Sequence, residues 1–343
     1  MRKLLNTLYV TTANAYLRLD GETVVIACEE ETLGRLPLHN LSAIVCFGYK
    51  GVSPALMGAC AERGIGLCFL SPHGRFLARV TGSVQGNVLL RESQLLLAAD
   101  AARSLEPAKA FISAKLYNSR WSLERSLRDH GMRLDESAIR AAIDQQKSCL
   151  AAVENAGDVG ALMGVEGLAA KAYFGVFGQL ILRNEEAFCF RERNRRPPTD
   201  PVNALLSFTY TLLTNEICGA LESVGLDPYV GYLHQKRPGR CSLALDLLEE
   251  LRAPLADRFV LSQINLGAIT PEAFQVKENG AVQLSDDGRR GFLSAWQQKK
   301  QETLTHPFLK EKLPWGLVAY AQAMLLSRWL RGDLDAYPPF FWK

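Results

Sequence analysis

The sequence lacks several things that usually announce a function. It holds eight cysteines but no CxxC pair, and most of them sit inside apolar runs. Neither a zinc cage nor a disulfide frame is written into that spacing, and small buried hydrophobes in a reducing compartment are expected. There is no GxxxxGK[ST], no GxSxG and no HExxH, so nucleotide-driven and serine-hydrolase chemistries lose their usual support. Charge of one sign is also missing. Lys plus Arg is 39 against 36 Asp plus Glu, a net +3, which neither announces a nucleic-acid binder nor excludes one, because local fields outweigh the total. The longest apolar stretch, Val159 to Leu182, is interrupted by Glu166, Lys171 and five glycines, so a buried helix is expected there and not a membrane span. The first residues carry no continuous apolar run of the signal-peptide kind. A cytoplasmic protein that makes no use of a membrane is expected.

What is present is ordinary folded-protein material: 343 residues, 48% hydrophobic and 22% charged, enough for about two domains. The first 90 or so residues have strand grammar. Leu4–Thr11, Ala15–Leu19, Thr23–Cys28, Leu36–Leu38 and Ala43–Phe47 are short, rich in Val, Thr, Tyr and Leu, and punctuated by turn signals such as Asp20-Gly21. Ser53–Arg63 reads as a helix capped by Ser53, opened by Pro54 and ended by Gly64. Two more strands, Ile65–Leu70 and Arg75–Val80, flank the turn Ser71-Pro72-His73-Gly74. After that the spacing turns helical: Leu90–Leu105, Pro107–Arg128, Glu136–Asn155, Val159–Asn184, Asp200–Glu222, Leu243–Leu251 and Leu317–Arg331. The expected fold class is α+β in two domains, with a β-rich domain over 1–90, a linker over 91–105 and a mostly α-helical domain over 106–343.

Three features could carry chemistry. Glu166 lies among apolar and small residues, where an ionised carboxylate is costly unless it is paired or holds a cation. Second, the helix beginning near Ser242 shows Leu243, Leu247 and Leu251 on one face and Asp246, Glu249 and Glu250 within an arc of about 100° on the other side. His234 precedes it, on a Gly/Pro loop able to fold back over that arc. One imidazole with two or three carboxylates suits a hard cation such as Mg²⁺ or Mn²⁺; a solvent-facing acidic stripe beside an unrelated histidine suits the spacing too. Third, Arg191, Arg193, Arg195, Arg196, Lys236, Arg237, Arg240 and Arg252 surround these acids, as a polyanion site would require and as a solvated loop would also produce. His39, His73, His130 and His306 fall in turns or near helix ends without a spaced partner.

Taken together, Glu166 in its apolar helix, the run Arg195-Arg196-Pro197-Pro198-Thr199-Asp200-Pro201 continuing to Phe208, Gly231-Tyr232-Leu233-His234, and Ser242 to Glu250 resemble, in order and spacing, the CRISPR-associated integrase/endonuclease family of spacer acquisition. The segment Ala114-Lys115-Leu116-Tyr117-Asn118 and the strand-rich first part extend the likeness over nearly the whole chain. The resemblance implies a metal-dependent DNA nuclease and integrase that inserts spacer DNA into a CRISPR array by transesterification. It implies Mg²⁺ or Mn²⁺ held by Glu166, His234 and Glu249, with Asp246 assisting or orienting and Glu250 less suited; which of Asp246 and Glu249 touches the metal stays open. It also implies a homodimer joined to a smaller ferredoxin-like adaptation partner, acting on duplex fragments, repeat and leader DNA and branched DNA. The aromatic tail Tyr337 to Lys343 lies outside that pattern. A non-catalytic DNA-binding scaffold and a helical metallohydrolase of a small phosphorylated substrate are the competing readings.

Overall fold

Short β-branched runs and their turns build the first part of the chain. The structure, a computed structural model, describes residues 6–12, 14–29, 31–71, 76–82, 88–183 and 186–343; the first two residues of the Leu4–Thr11 run, Arg75 and most of the Ser71–Gly74 turn, with His73, lie outside them. Strand β1 (Asn6–Val10) is followed by β2 (Ala15–Asp20), β3 (Thr23–Cys28) and β4 (Glu31–Pro37), and then β5 (Leu41–Phe47). Helix α1 (Pro54–Arg63) opens on a Ser53 side chain that accepts from the Leu56 amide, and closes on Gly64 at φ 64, the left-handed geometry that glycine adopts without a Cβ clash. Then come β6 (Gly66–Leu70) and β7 (Phe76–Val80). β2, β3 and β4 form an antiparallel meander, while the second sheet has the order β1-β5-β6-β7, parallel except for its last pair. Leu17, Val24, Leu38, Ile44, Leu56, Cys60 and Leu67 share one core there. Burial pushes the Cys46 and Cys68 thiols up to about 12 and that of Cys60 to about 11, so these three behave as buried hydrophobes.

Helices follow: α2 (Val88–Ala99), α3 (Ala101–His130), α4 (Glu136–Glu154), α5 (Val159–Phe177), α6 (Pro201–Ser223), α7 (Ser242–Leu251) and α8 (Arg258–Asn265), the last two joined by a π-helical turn over Arg252–Asp257. Strands β8 (Phe274–Val276) and β9 (Val282–Leu284), helix α9 (Asp286–Gln301), strands β10 (Thr303–Thr305) and β11 (Lys312–Pro314) and helix α10 (Val318–Leu330) complete it.

Three particulars differ from the sequence reading. The span 91–105, read as a linker with helical spacing through Leu90–Leu105, is not one continuous helix. It is helical on both sides of Asp100, whose carboxylate caps α3 by accepting from Ala102 and Arg103, so the break falls at the cap and Pro107 is absorbed into the second turn of α3. The chain forms two compact units, 1–85 with 284–302 and 86–283 with 303–343, so α9 belongs with the β-rich part. There its Gln297 side chain donates to the Thr7 carbonyl at 2.6 Å and Trp296 is fully buried. Finally, α5 is buried on one side only. Leu162, Ala169 and Tyr173 pack inward, whereas Leu168 is 60% exposed and Met163 shares the open face. By length and composition alone Val159–Leu180 is apolar enough to cross a membrane; here its inner face packs on the core of Ala108, Ile112, Leu116 and Val153.

Candidate active site

Helix α7 is apolar on one side, yet its acidic side is buried as well, which removes the solvated-stripe reading. Asp246 is 0% exposed and Glu249 4%. Asp246 accepts from the backbone amides of Tyr232 at 2.7 Å, Leu233 at 3.1 Å and His234 at 2.9 Å, and its Oδ1 lies 2.7 Å from His234 Nδ1. One carboxylate thus shapes the whole loop. Gly231 lets the loop approach, because a Cβ there would stand 2.7 Å from Ser242 and 2.8 Å from Asp246 Oδ2. With Nδ1 donating to Asp246, the imidazole keeps its Nε2 lone pair, and that atom lies 4.0 Å from Glu249 Oε1.

Glu249 is met from the other side by cations. Arg252, one turn on, reaches Oε1 at 3.0 Å. Lys115 from α3 reaches Oε2 at 2.8 Å and also pairs with Glu166 from α5, whose side chain is 18% exposed. Oε2 is buried, and its neighbour is the Lys115 ammonium at 2.8 Å, paired with it by charge. Burial alone would raise the Glu249 carboxyl, but Arg252, Lys115 and His234 outweigh it and hold it at about 2. Helices α5 and α7 therefore bring Glu166 and Glu249 to one cation position, filled here by the Lys115 ammonium of α3, and the His234 loop lies beside Glu249.

Among the described residues no three His, Cys, Asp or Glu side chains stand in ligand geometry around one point, since Lys115 holds the two glutamates apart from a common centre. The donor chemistry nevertheless fits a hard divalent ion: two carboxylates, an imidazole with a free Nε2, and a buried carboxylate oxygen paired with an ammonium by charge. Asp246 does not fit as a ligand, because its oxygens are already engaged by four N–H groups.

The basic residues divide. Arg191, Arg193 and Arg195 line a cleft of about 440 Å³ together with Glu166, Lys171 and Arg252. Arg193 is tied down within it: it donates to Asn203 Oδ1 at 2.6 Å and Ser207 Oγ at 3.0 Å, lies over the Tyr210 ring, and burial lowers its pKa. Lys236 donates to the Ala98 carbonyl at 3.2 Å. Arg196 and Arg237 are exposed and Arg240 half-buried, outside the cleft lining.

Glu250, next to Glu249, faces the opposite way. It accepts from Tyr337 at 2.7 Å, Gln322 at 2.7 Å and the Phe340 amide at 2.9 Å, so the aromatic tail packs on its own unit. Asn118 completes the seam by donating to the Glu250 and Phe340 carbonyls and accepting from the Trp342 amide. Burial pushes Glu250 up to about 7 from 4.5 despite those three donors. A raised carboxyl pKa favours the fold below the unfolded value and loses that advantage as pH rises through the folded one. The expected result, with metal chelated, is that Glu250→Gln gains on wild type between about pH 4.5 and 7, by about 3 kcal/mol in all. Denaturant titrations at several pH values check this; a pH-independent difference would contradict it.

The family model for the CRISPR associated protein Cas1 matches residues 8–298. The chain belongs to the Cas1 family. It is similar to Cas1 proteins over their full length: 48% identical over 343 residues to a CRISPR-associated endonuclease Cas1 of Chlorobaculum tepidum, and 53% over 347 residues to one of Rhodospirillum rubrum, covering 100% of both chains in each case. The same fold is found in a casposase bound to its integration product (TM-score 0.85, 23% identity, 99% of this chain and 95% of that one). It is also found in a Cas6-RT-Cas1–Cas2 complex (TM-score 0.82, 23% identity, 100% of this chain and 36% of that one). This Cas1-family chain is α+β, with the β-rich part first.

Several residues of the site escaped the sequence reading. Lys115 stood in a segment noted for likeness only, and nothing in its spacing points to Glu166, 51 positions away. Asp257 was not seen either. It receives Tyr210 at 2.6 Å and Tyr173 at 3.1 Å, and Tyr210 in turn lies under Arg252. The available signal was an acid in an otherwise apolar run.

Proposed function

We propose that this chain is a divalent-metal-dependent DNA endonuclease and integrase that inserts new spacer DNA into a CRISPR array by phosphodiester transesterification. One observation supports the reading: Glu166 and Glu249 share the Lys115 ammonium, and the Asp246-oriented His234 lies beside Glu249, next to an arginine-rich cleft. The names of the full-length relatives, CRISPR-associated endonucleases, agree with it.

Glu166, Glu249 and His234 Nε2 would hold Mg²⁺ or Mn²⁺; the oxygens suit both, and the nitrogen is better tolerated by Mn²⁺. An ion held by these residues would supply Lewis-acid chemistry, polarising a phosphoryl oxygen and offsetting charge on the attacking or leaving oxygen. Asp246 positions the imidazole and fixes its tautomer. Arg191, Arg195 and Lys171 hold the flanking phosphates, and Arg252 keeps Glu249 ionised and in place. In integration, the 3′-hydroxyl oxygen of the fragment forms the new bond to phosphorus. The old P–O3′ bond breaks and that oxygen leaves as a 3′-hydroxyl, so one ester replaces another and no nucleotide energy is needed. With water as nucleophile the same site hydrolyses branched or duplex DNA. The working assembly is a homodimer joined to a smaller ferredoxin-like CRISPR partner, two dimers to one partner dimer, in the cytoplasm where the array lies.

The test is incubation of purified protein with labelled branched DNA in Mg²⁺ or Mn²⁺, read on a denaturing gel. Product is expected with metal, none with EDTA, and none from Glu166→Ala, while duplex binding persists. Salt-dependent binding with no metal-dependent product would favour a scaffold instead.

A further inference from the structure

We propose that Lys115 is a built-in counter-cation: its ammonium occupies the divalent-ion position of the metal-free protein, and metal binds only by displacing it. The inference rests on the metal-site reading above and concerns what that site holds when empty of metal.

Geometry leads to it. Lys115 comes from α3 and pairs with Glu166 on α5 and Glu249 on α7 at once, with its side chain only 10% exposed. Two carboxylates drawn together in a half-buried space repel unless a cation stands between them. Arg252 cannot be that cation for both. It contacts Glu249 Oε1, is seated over the Tyr210 ring at 5.0 Å, and Tyr210 is in turn held by Asp257. Arg252 is therefore a fixed part of the wall. Lys115 is different in kind: a point charge on a flexible stem, lying against Glu249 Oε2 at 2.8 Å. An ammonium that donates to Glu166 Oε1 but meets Glu249 chiefly through charge is the sort of occupant that a more strongly attracted ion can replace.

Charge supports the exchange. Glu166, Glu249, Lys115 and Arg252 sum to zero. A divalent ion added with Lys115 in place would leave two uncompensated positive charges in a site of low accessibility, which is costly. Lys115 also lines the cleft of about 440 Å³ that holds Arg191 and Arg195, so the open direction for the expelled ammonium is the space where a phosphodiester would lie. One side chain then serves two states: it neutralises the glutamates without metal, and joins the cationic lining with it.

The experiment is a Mn²⁺ titration of chelator-stripped full-length protein, read by the electron paramagnetic resonance signal of free Mn²⁺, in wild type, Lys115→Met and Glu166→Gln. Lys115→Met is expected to bind Mn²⁺ about tenfold more tightly than wild type, since it has no cation to displace. Glu166→Gln is expected to bind more weakly. Loss of a merely structural ion pair would loosen the site and weaken binding, so tightening is specific to the proposal. Unchanged or weaker binding in Lys115→Met, with Glu166→Gln still weakened, overturns the counter-cation and leaves the metal site standing. Absence of Mn²⁺ binding in all three proteins overturns the metal site itself. Should Lys115→Met not fold, wild type answers the question by amine acylation and mass spectrometry. Mn²⁺ is expected to raise labelling of Lys115 relative to the exposed Lys147, and unchanged or reduced labelling overturns the proposal.

Discussion

Glu249→Gln is expected to reduce metal-dependent cleavage and strand transfer to background and, in the same protein, to lower stability by about 3–5 kcal/mol at neutral pH. Both losses have one origin. Glu249 faces Arg252 at 3.0 Å, Lys115 at 2.8 Å and His234 at 4.0 Å, so an amide there removes a ligand, leaves Arg252 buried without its carboxylate and leaves Lys115 with Glu166 alone. The pH dependence identifies the cause. The carboxyl sits at about 2 in the fold against an ordinary 4.5. A depressed acid contributes stability that is fully present above the unfolded value and is lost as pH falls through the folded one. Wild type and variant, unfolded by denaturant in EDTA, should therefore converge as pH drops from about 4.5 toward 2. A gap that persists at acid pH would mean that Glu249 matters by shape and not by charge.

Asp246→Ala is expected to act almost as strongly by a different route. It leaves the amides of Tyr232, Leu233 and His234 and the imidazole Nδ1 without their acceptor. Each buried donor left unpaired is expensive, and a loss of about 3 kcal/mol in stability is expected. The histidine loses its orientation with the loop, and single-turnover cleavage should fall by about 100-fold, the usual scale for removing a residue that orients a metal-binding histidine. Metal affinity and cleavage should fall together. Asp246→Asn is the informative companion, since its shape is retained while one acceptor becomes a donor facing amides. Full activity in Asp246→Asn would remove Asp246 from the orienting role.

The sequence was most legible where local chemistry decides. Thr23–Cys28 became β3 with its ends unchanged, and Ser53, Pro54 and Gly64 bounded α1 as their capping chemistry requires. The acidic arc of α7 could be found from helical periodicity alone. What periodicity could not supply was the direction each acid faces. Asp246, Glu249 and Glu250 look alike on a helical wheel, yet one binds a loop, one meets cations and one receives the tail. Those fates are set by segments that lie far off in sequence: Lys115 on α3 and Tyr337 in the tail. No helix or strand is legible in the sequence over 257–316, because the elements there are short or polar. α9 has four charged residues in its first five and shows its apolar side only through Phe292, Leu293 and Trp296.

The seam between Glu250 and the aromatic tail has a vectorial consequence during synthesis. Glu250 emerges from the ribosome 90 residues ahead of the Phe340 amide that it accepts. Until the segment through Trp342 follows, that acid lacks Tyr337 and the Phe340 amide, and Asn118 lacks the Phe340 carbonyl and the Trp342 amide. A nascent chain would thus carry Glu166, His234 and Glu249 before it carried the clasp that joins α3 to α7, and the site would be set only once the tail has followed.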